Sequence, residues 1–153
     1  MSFLDNRIPP PLIGLACVGL AWASARYLPE FAYASPFRLW IAAALALAGI
    51  GFDVSGLLVF RRARTTINPL SPDKSTAIVR SGPYAFTRNP MYVGMALILL
   101  GYCVFLANAA AVLAVAVFCA YITWFQIIPE ERMLLRKFGE AYAAYMRSVR
   151  RWV

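Results

Sequence analysis

The chain has 153 residues, of which 61% are hydrophobic and only 14% are charged. A soluble domain carries about 25% charged residues, so this composition excludes an ordinary soluble globular protein, a disordered tail and a coiled coil. The chain has no histidine, and its three cysteines are isolated in apolar runs, so we expect neither a metal site nor a disulfide framework.

Four apolar segments predict four membrane spans, at approximately 9–27, 38–60, 90–107 and 109–128. A span needs about 20 mostly apolar residues. The uncharged stretch 89–129 is about twice as long as a bilayer requires, so we expect it to form a helical hairpin that turns near Asn108. The predicted fold is an all-α, multi-pass bundle that forms a single domain over residues 1–153.

The first segment also fits a signal peptide loosely, because Arg7 precedes its apolar core. The acidic Asp5 and the prolines at 9–11 argue against that alternative. We therefore expect this segment to stay in the protein as the first span.

The basic residues predict the orientation in the membrane. If the N-terminus is inside, only Arg26 and Arg38 of the fifteen Lys and Arg residues face outward. The net charge of +8 then lies against anionic headgroups, and no aromatic RNA-binding motif accompanies it, so we do not expect nucleic acid as a partner. We expect a multi-pass protein of the inner (plasma) membrane with a cytoplasmic cap at 61–89 and 129–153.

Asp53 stands inside the second predicted span, eight residues before Arg61. A charge at the centre of a membrane helix costs about 2.5–3.5 kcal/mol on insertion scales, so an ionisable residue there indicates function by default. Gly49, Gly51 and Gly56 lie in the same segment and allow a neighbouring helix to approach closely. Two interpretations stay open: a functional site, or a hydrogen bond to a Tyr or Trp of another span.

The first polar stretch ends at Arg88-Asn89-Pro90, where a helix is predicted to begin. Asn is a good N-cap and Pro is a favoured first helical residue, so we expect the third span to start at Pro90. A helix start presents free N–H groups and a partial positive charge, and with Arg88 beside it the sequence predicts an anion site. The alternative is a plain capped helix whose arginine binds a lipid phosphate.

The second polar stretch begins at Pro129, where a helix breaks or restarts with Glu130 and Glu131 in its first turn. Beyond it, apolar residues recur at helical spacing over 134–152 and predict one amphipathic helix, loosened at Gly139. Such a helix lies on the membrane or folds over the cap. The alternative is a simple membrane anchor whose carboxylates only complement the helix dipole.

Four short motifs occur in this order: Gly82–Tyr84, Arg88–Gly94, Pro129–Leu134 and Phe138–Tyr145. Together they resemble the signature of the integral-membrane methyltransferases, which include isoprenylcysteine carboxyl methyltransferases and phospholipid N-methyltransferases. The resemblance covers roughly residues 61–153. Many members of that family carry His where this chain has Asn89, so acid–base work by that histidine is not available here.

The resemblance implies S-adenosylmethionine as cofactor and a cytoplasmic cap over a pocket open to lipid. The Arg88 helix start suits the carboxylate of that cofactor, and Glu130 or Glu131 suits its ammonium group or ribose hydroxyls. We expect the two cytoplasmic segments to enclose the cofactor between them. The predicted cofactor-binding residues are Tyr84, Arg88, Asn89, Pro90, Tyr92, Gly94, Glu130, Glu131, Tyr142 and Tyr145, with Arg88 and Glu131 also assigned the catalytic role.

The predicted function is methyl transfer to a lipophilic acceptor at the cytoplasmic face of the membrane. Methyl transfer from sulfur needs proximity and a water-poor site more than a strong base, so the absence of histidine is no obstacle. A phospholipid amine, a prenylcysteine-like carboxylate and a small lipophilic thiol stay open as acceptors. The alternative from another class is a small ion-coupled transporter, a dimer that uses Asp53.

Overall fold

The computed structural model describes residues 7–62 and 78–153, and the regular secondary structure of these residues is helical. The α-helices of this part of the chain are α1 (Pro10–Tyr27), α2 (Arg38–Arg62), α3 (Pro90–Leu106), α4 (Leu113–Ile122), α5 (Ile128–Phe138) and α6 (Glu140–Ser148). The all-α prediction is confirmed for these residues. The predicted cap segment 63–77 and the first six residues lie outside the described ranges.

Two helical stretches are long and apolar enough to cross a membrane, by length and composition. They are Arg38–Val59 and the continuous stretch Ala110–Phe138, whereas Pro90–Leu106 is a shorter apolar helix. The membrane character of the bundle agrees with the predicted fold class. The number of four spans stays a prediction.

α2 and α3 pack against each other through glycines, along a contact that we call the seam. A methyl group built on Gly49 would lie 2.5 Å from the carbonyl oxygen of Gly94. One built on Gly101 would lie 2.8 Å from the carbonyl oxygen of Ala42. The two backbones therefore approach as closely as small residues permit, which is a common way to associate helices in lipid.

The predicted hairpin turn near Asn108 is confirmed. α3 ends at Leu106, and the next residue, Ala107, has a left-handed backbone with φ of 52°. The buried Asn108 side chain donates to the Leu28 carbonyl at 2.8 Å and accepts from the Ala110 backbone N–H at 2.9 Å. This side chain thus ties the hairpin to the connection that follows α1.

The helix that begins at Ala110 runs past the predicted end of the last span. One wide π-helical turn, Thr123–Ile127, joins α4 to α5, and the chain stays helical through Pro129 to Phe138. Proline has no N–H to donate to the preceding turn, and a widened turn accommodates that missing bond. The predicted break at Pro129 is therefore a local widening of a continuous helix.

The predicted amphipathic helix over 134–152 is wrong at two places. The helix is interrupted at Gly139, whose φ of 53° suits glycine, and α6 ends at Ser148. Residues 149–153 are not helical, because their carbonyl groups bind side chains and backbone of the segment that precedes α3. We call residues 149–153 the strap.

Candidate functional site

A threonine, in place of the predicted asparagine cap, organises the start of α3. α3 begins at Pro90 as predicted, but the Asn89 side chain makes no capping hydrogen bond. Its Nδ2 donates instead to the carbonyl of Arg151 at 2.8 Å. The buried Thr87 hydroxyl accepts from the Asn89 backbone N–H at 3.2 Å and donates to the same carbonyl. The predicted Asn cap is thus wrong, because a distant carbonyl takes the amide.

The Glu131 carboxylate is bound by two arginines. Arg88 Nη2 lies 2.6 Å from Glu131 Oε1, and both of these side chains are more than nine-tenths buried. Arg151 reaches the same carboxylate through Nη2, 2.7 Å from Oε2, and through Nε, 3.1 Å from Oε1. Since charge-assisted pairs of this kind are short and directional, they fix the orientation of Glu131.

Arg88 joins the strap to the start of α3. Its backbone N–H donates to the Arg150 carbonyl at 2.9 Å. Its Nη1 donates to the carbonyls of Met146 and Val149, at 2.9 and 2.6 Å. Its Nε is buried and has no hydrogen-bond partner within the described part of the chain. Arg88 therefore carries one donor that a bound acceptor oxygen could satisfy.

Glu130 has different partners from its neighbour Glu131. The Tyr92 hydroxyl donates to Glu130 Oε2 at 3.3 Å, and Tyr92 is buried in α3. Within residues 7–62 and 78–153, Glu130 makes no ion pair. The two adjacent carboxylates are therefore not equivalent: Glu131 pairs with two arginines, whereas Glu130 accepts a hydrogen bond from Tyr92 and has no cationic partner among the described residues.

Three tyrosines, Tyr84, Tyr142 and Tyr145, lie near the cluster of Arg88, Glu130 and Glu131. The Tyr145 hydroxyl donates to the Tyr84 carbonyl at 2.7 Å, and Tyr142 packs beside Tyr145 with ring centroids 6.0 Å apart. Burial raises the pKa of Tyr145 to about 12 and raises the pKa of Tyr84 and of Tyr142 well above the usual range. All three hydroxyls are therefore protonated near neutral pH and are hydrogen-bond donors, not bases.

Asp53 and Gly94 meet at the seam. A methyl group on Gly94 would collide with Asp53 Oδ1 and would lie 2.6 Å from the carbonyl oxygen of Gly49. That Asp53 oxygen is buried and has no hydrogen-bond partner among the described residues. Burial is the main reason that the pKa of Tyr84 is raised, with smaller contributions from Tyr145, Glu130 and Asp53.

The structure brings predicted site residues together from both polar segments, which lie 43 residues apart at the Arg88–Glu131 pair. The Arg88 and Glu131 side chains contact each other directly, and the expectation that the two segments enclose a cofactor stays a prediction. Gly94 faces the seam, and its predicted role in binding a cofactor stays a prediction.

Sequence reasoning missed two residues of the site, Thr87 and Arg151. A threonine two residues before a helix-capping position is a typical side-chain turn, so Thr87 had a local signal. Arg151 had none, because the spacing of apolar residues placed it on the outer face of a helix.

The similarity of this chain to known proteins indicates its family. A family model described as phospholipid methyltransferase matches residues 37–141. An uncharacterized protein from Haemophilus influenzae is 44% identical over 63 residues, which are 41% of this chain and the whole of that relative. No solved structure gives a significant match.

Proposed function

The chain belongs to the phospholipid methyltransferase family, and from this premise we propose that it transfers a methyl group from S-adenosylmethionine to a lipophilic acceptor. The observation that carries the proposal is the cluster of Arg88, Glu130 and Glu131, assembled from two polar segments that are distant in sequence, beside an apolar bundle. We also propose that the cluster faces the cytoplasm, as the distribution of basic residues predicts.

The donors and acceptors of the cluster fit this cofactor. The free, buried Arg88 Nε is a donor for a carboxylate oxygen. Glu130, which makes no ion pair in the described part of the chain, is an acceptor for a ribose hydroxyl, and Glu131 is the carboxylate proposed for the ammonium group. When bound, S-adenosylmethionine supplies a methyl group activated by a sulfonium centre.

The contribution of the protein is binding, orientation and exclusion of water. Glu131 and the strap carbonyls hold Arg88 in one position, and the Tyr92 hydroxyl holds Glu130. The three protonated tyrosines cannot remove a proton from an acceptor near neutral pH. These tyrosines are therefore not general bases, and proximity within a buried site is the proposed source of the rate enhancement.

Calorimetry in detergent tests the proposal. We expect the wild type to bind S-adenosylmethionine, and Arg88→Ala and Glu131→Gln to lose most of that affinity. Glu140→Gln is the matched control, because Glu140 pairs with Arg147 on the exposed surface of α6 and should bind as the wild type does. Unchanged affinity in both site variants would reject the site assignment.

A tritiated-methyl assay on extracted lipids, followed by separation, identifies the acceptor. A labelled aminophospholipid would support N-methylation, and a labelled prenylcysteine ester would support O-methylation. The alternative of ion transport through Asp53 predicts no cofactor binding at all, so the calorimetry separates the two functions. On that alternative, Asp53→Asn would abolish transport.

A further inference from the structure

The two arginines on Glu131 are held very unequally. The Arg88 side chain is 8% exposed, and its guanidinium also donates to the carbonyls of Met146 and Val149. The Arg151 side chain is 36% exposed, and within the described residues its guanidinium donates to Glu131 alone. Although two hydrogen bonds hold it, the partly exposed Arg151 guanidinium can be rehydrated when it leaves, so its pair is weaker than that of the buried Arg88, which would be left as an uncompensated charge. Arg151 is therefore the partner that Glu131 can exchange.

The Arg151 side chain can leave without release of the strap. The carbonyls of Arg150 and Arg151 accept three hydrogen bonds from residues 87–89, and these bonds involve only the main chain of the strap. The Trp152 indole N–H donates to the Thr123 hydroxyl at 3.1 Å and anchors the strap independently. A rotation of the Arg151 side chain thus breaks its bonds to Glu131 and leaves all of these in place.

The exchange would open one defined position. Glu131 Oε2 is bonded by Arg151 alone in the described part of the chain, whereas Oε1 is also held by Arg88. A compact ammonium group with three N–H donors fits a carboxylate oxygen vacated by a guanidinium. One monovalent cation then replaces another, so the charge around the buried Glu131 is conserved.

We propose that Arg151 is an exchangeable internal counter-ion of Glu131, and that the ammonium group of the amino-acid end of the bound nucleoside replaces it. The inference rests on the proposed function, which supplies a ligand with that group. Arg151 then competes with the ligand for Glu131 and is a positioning residue, whereas Arg88 is a permanent part of the site. The exchange also keeps Glu131 paired when no ligand is bound.

The test compares two ligands that carry no sulfonium. S-adenosylhomocysteine has the ammonium group, and methylthioadenosine lacks the whole amino-acid end. We expect calorimetry to show that Arg151→Gln binds S-adenosylhomocysteine about two- to five-fold more tightly than the wild type, because a weak competing pair is removed. Affinity for methylthioadenosine should not change. Added salt should reduce the difference, since it screens the exposed pair.

Arg150→Gln is the control for the loss of a positive charge. Arg150 is an exposed neighbour on the strap, and its side chain makes no ion pair within the described residues, so both affinities should match the wild type. Arg151→Lys keeps a competing cation and should stay close to the wild type for S-adenosylhomocysteine.

Four outcomes would overturn the inference. Unchanged affinity of Arg151→Gln for S-adenosylhomocysteine would show that no competition exists, and weaker affinity would make Arg151 a direct ligand. Failure of Arg151→Gln to fold would show that Arg151 is not exchangeable. If the folded wild type binds neither nucleoside, the proposed function itself is rejected, and the inference with it.

Discussion

The seam and the cap site are stabilised by opposite means. At the seam, α2 and α3 touch through glycine backbones, and there is no room for an added methyl group at Gly49 or Gly94. At the cap, a nearly buried carboxylate, Glu131, is held by Arg88 and Arg151 from two other parts of the chain. Close backbone packing therefore stabilises the seam, whereas ion pairs stabilise the cap site around Glu131.

This difference determines which substitutions each region can accept. Adding atoms should damage the seam, since close-packed interiors do not expand without strain. Removing a charge should damage the cap, because the partner stays behind in a poorly solvated position. Both statements are testable with variants whose effect on the free energy of unfolding is measured in detergent.

The largest effect is expected at the cap, from Glu131→Gln. It leaves Arg88 buried without its carboxylate, and we expect a loss of about 3 kcal/mol in the free energy of unfolding. Glu140→Gln removes a comparable but exposed partner of Arg147 and should change stability by less than about 1 kcal/mol. Equal effects of the two variants would show that burial does not distinguish the pairs.

A smaller effect is expected at the seam, from Gly94→Ala. The new methyl group meets the Asp53 carboxylate and the Gly49 carbonyl, so α2 and α3 must separate, at a cost of about 2 kcal/mol. Gly51→Ala is the matched control on the same helix pair, because nothing lies within 4 Å of its added methyl group. The control should be neutral or stabilising, since alanine favours helix by up to about 1 kcal/mol over glycine. Tolerance of Gly94→Ala would contradict the close contact.

The smallest effect is expected where the cap uses a neutral hydrogen bond. Tyr145→Phe removes the donor to the Tyr84 carbonyl and should cost about 1 kcal/mol. The contribution also depends on pH, because burial raises the pKa of Tyr145 to about 12 from an ordinary value of 10.0. The stabilisation is complete below pH 10 and is lost as the pH rises towards 12.

Unfolding titrations of wild type and Tyr145→Phe at several alkaline pH values measure that difference. The stability gap between the two proteins should narrow as the pH rises above 10. A stability difference that is independent of pH would show that burial does not raise the pKa of Tyr145.

Local features of the fold could be predicted from the sequence, and long-range ones could not. The start of α3 at Pro90 and the turn at Asn108 follow from residue types at those positions, and both are confirmed. The meeting of the two polar segments followed from a resemblance rather than from spacing. Arg151 and Glu131 are 20 residues apart and lie on opposite sides of a helix break, so helical periodicity could not predict their contact.

The strap shows why the helical prediction failed. Val149 and Trp152 continue the apolar spacing of α6, but spacing reports only which face a side chain would occupy. It does not report that Arg88 binds the carbonyls of Met146 and Val149, which a longer helix would use internally. The backbone follows these polar partners, and the helix ends at Ser148.

The wide turn Thr123–Ile127 acts as an angular spacer between the bundle and the glutamate pair. A single residue advances an α-helix by about 100°, so one surplus residue in this turn sets the direction in which everything after it points. Deleting Trp124, an exposed residue of the turn, would restore the ordinary α-helical pitch and rotate Glu131 away from Arg88 and Arg151. The position of Glu131, and with it the proposed activity, would then depend on the helical register of an uncharged turn several residues earlier in the chain.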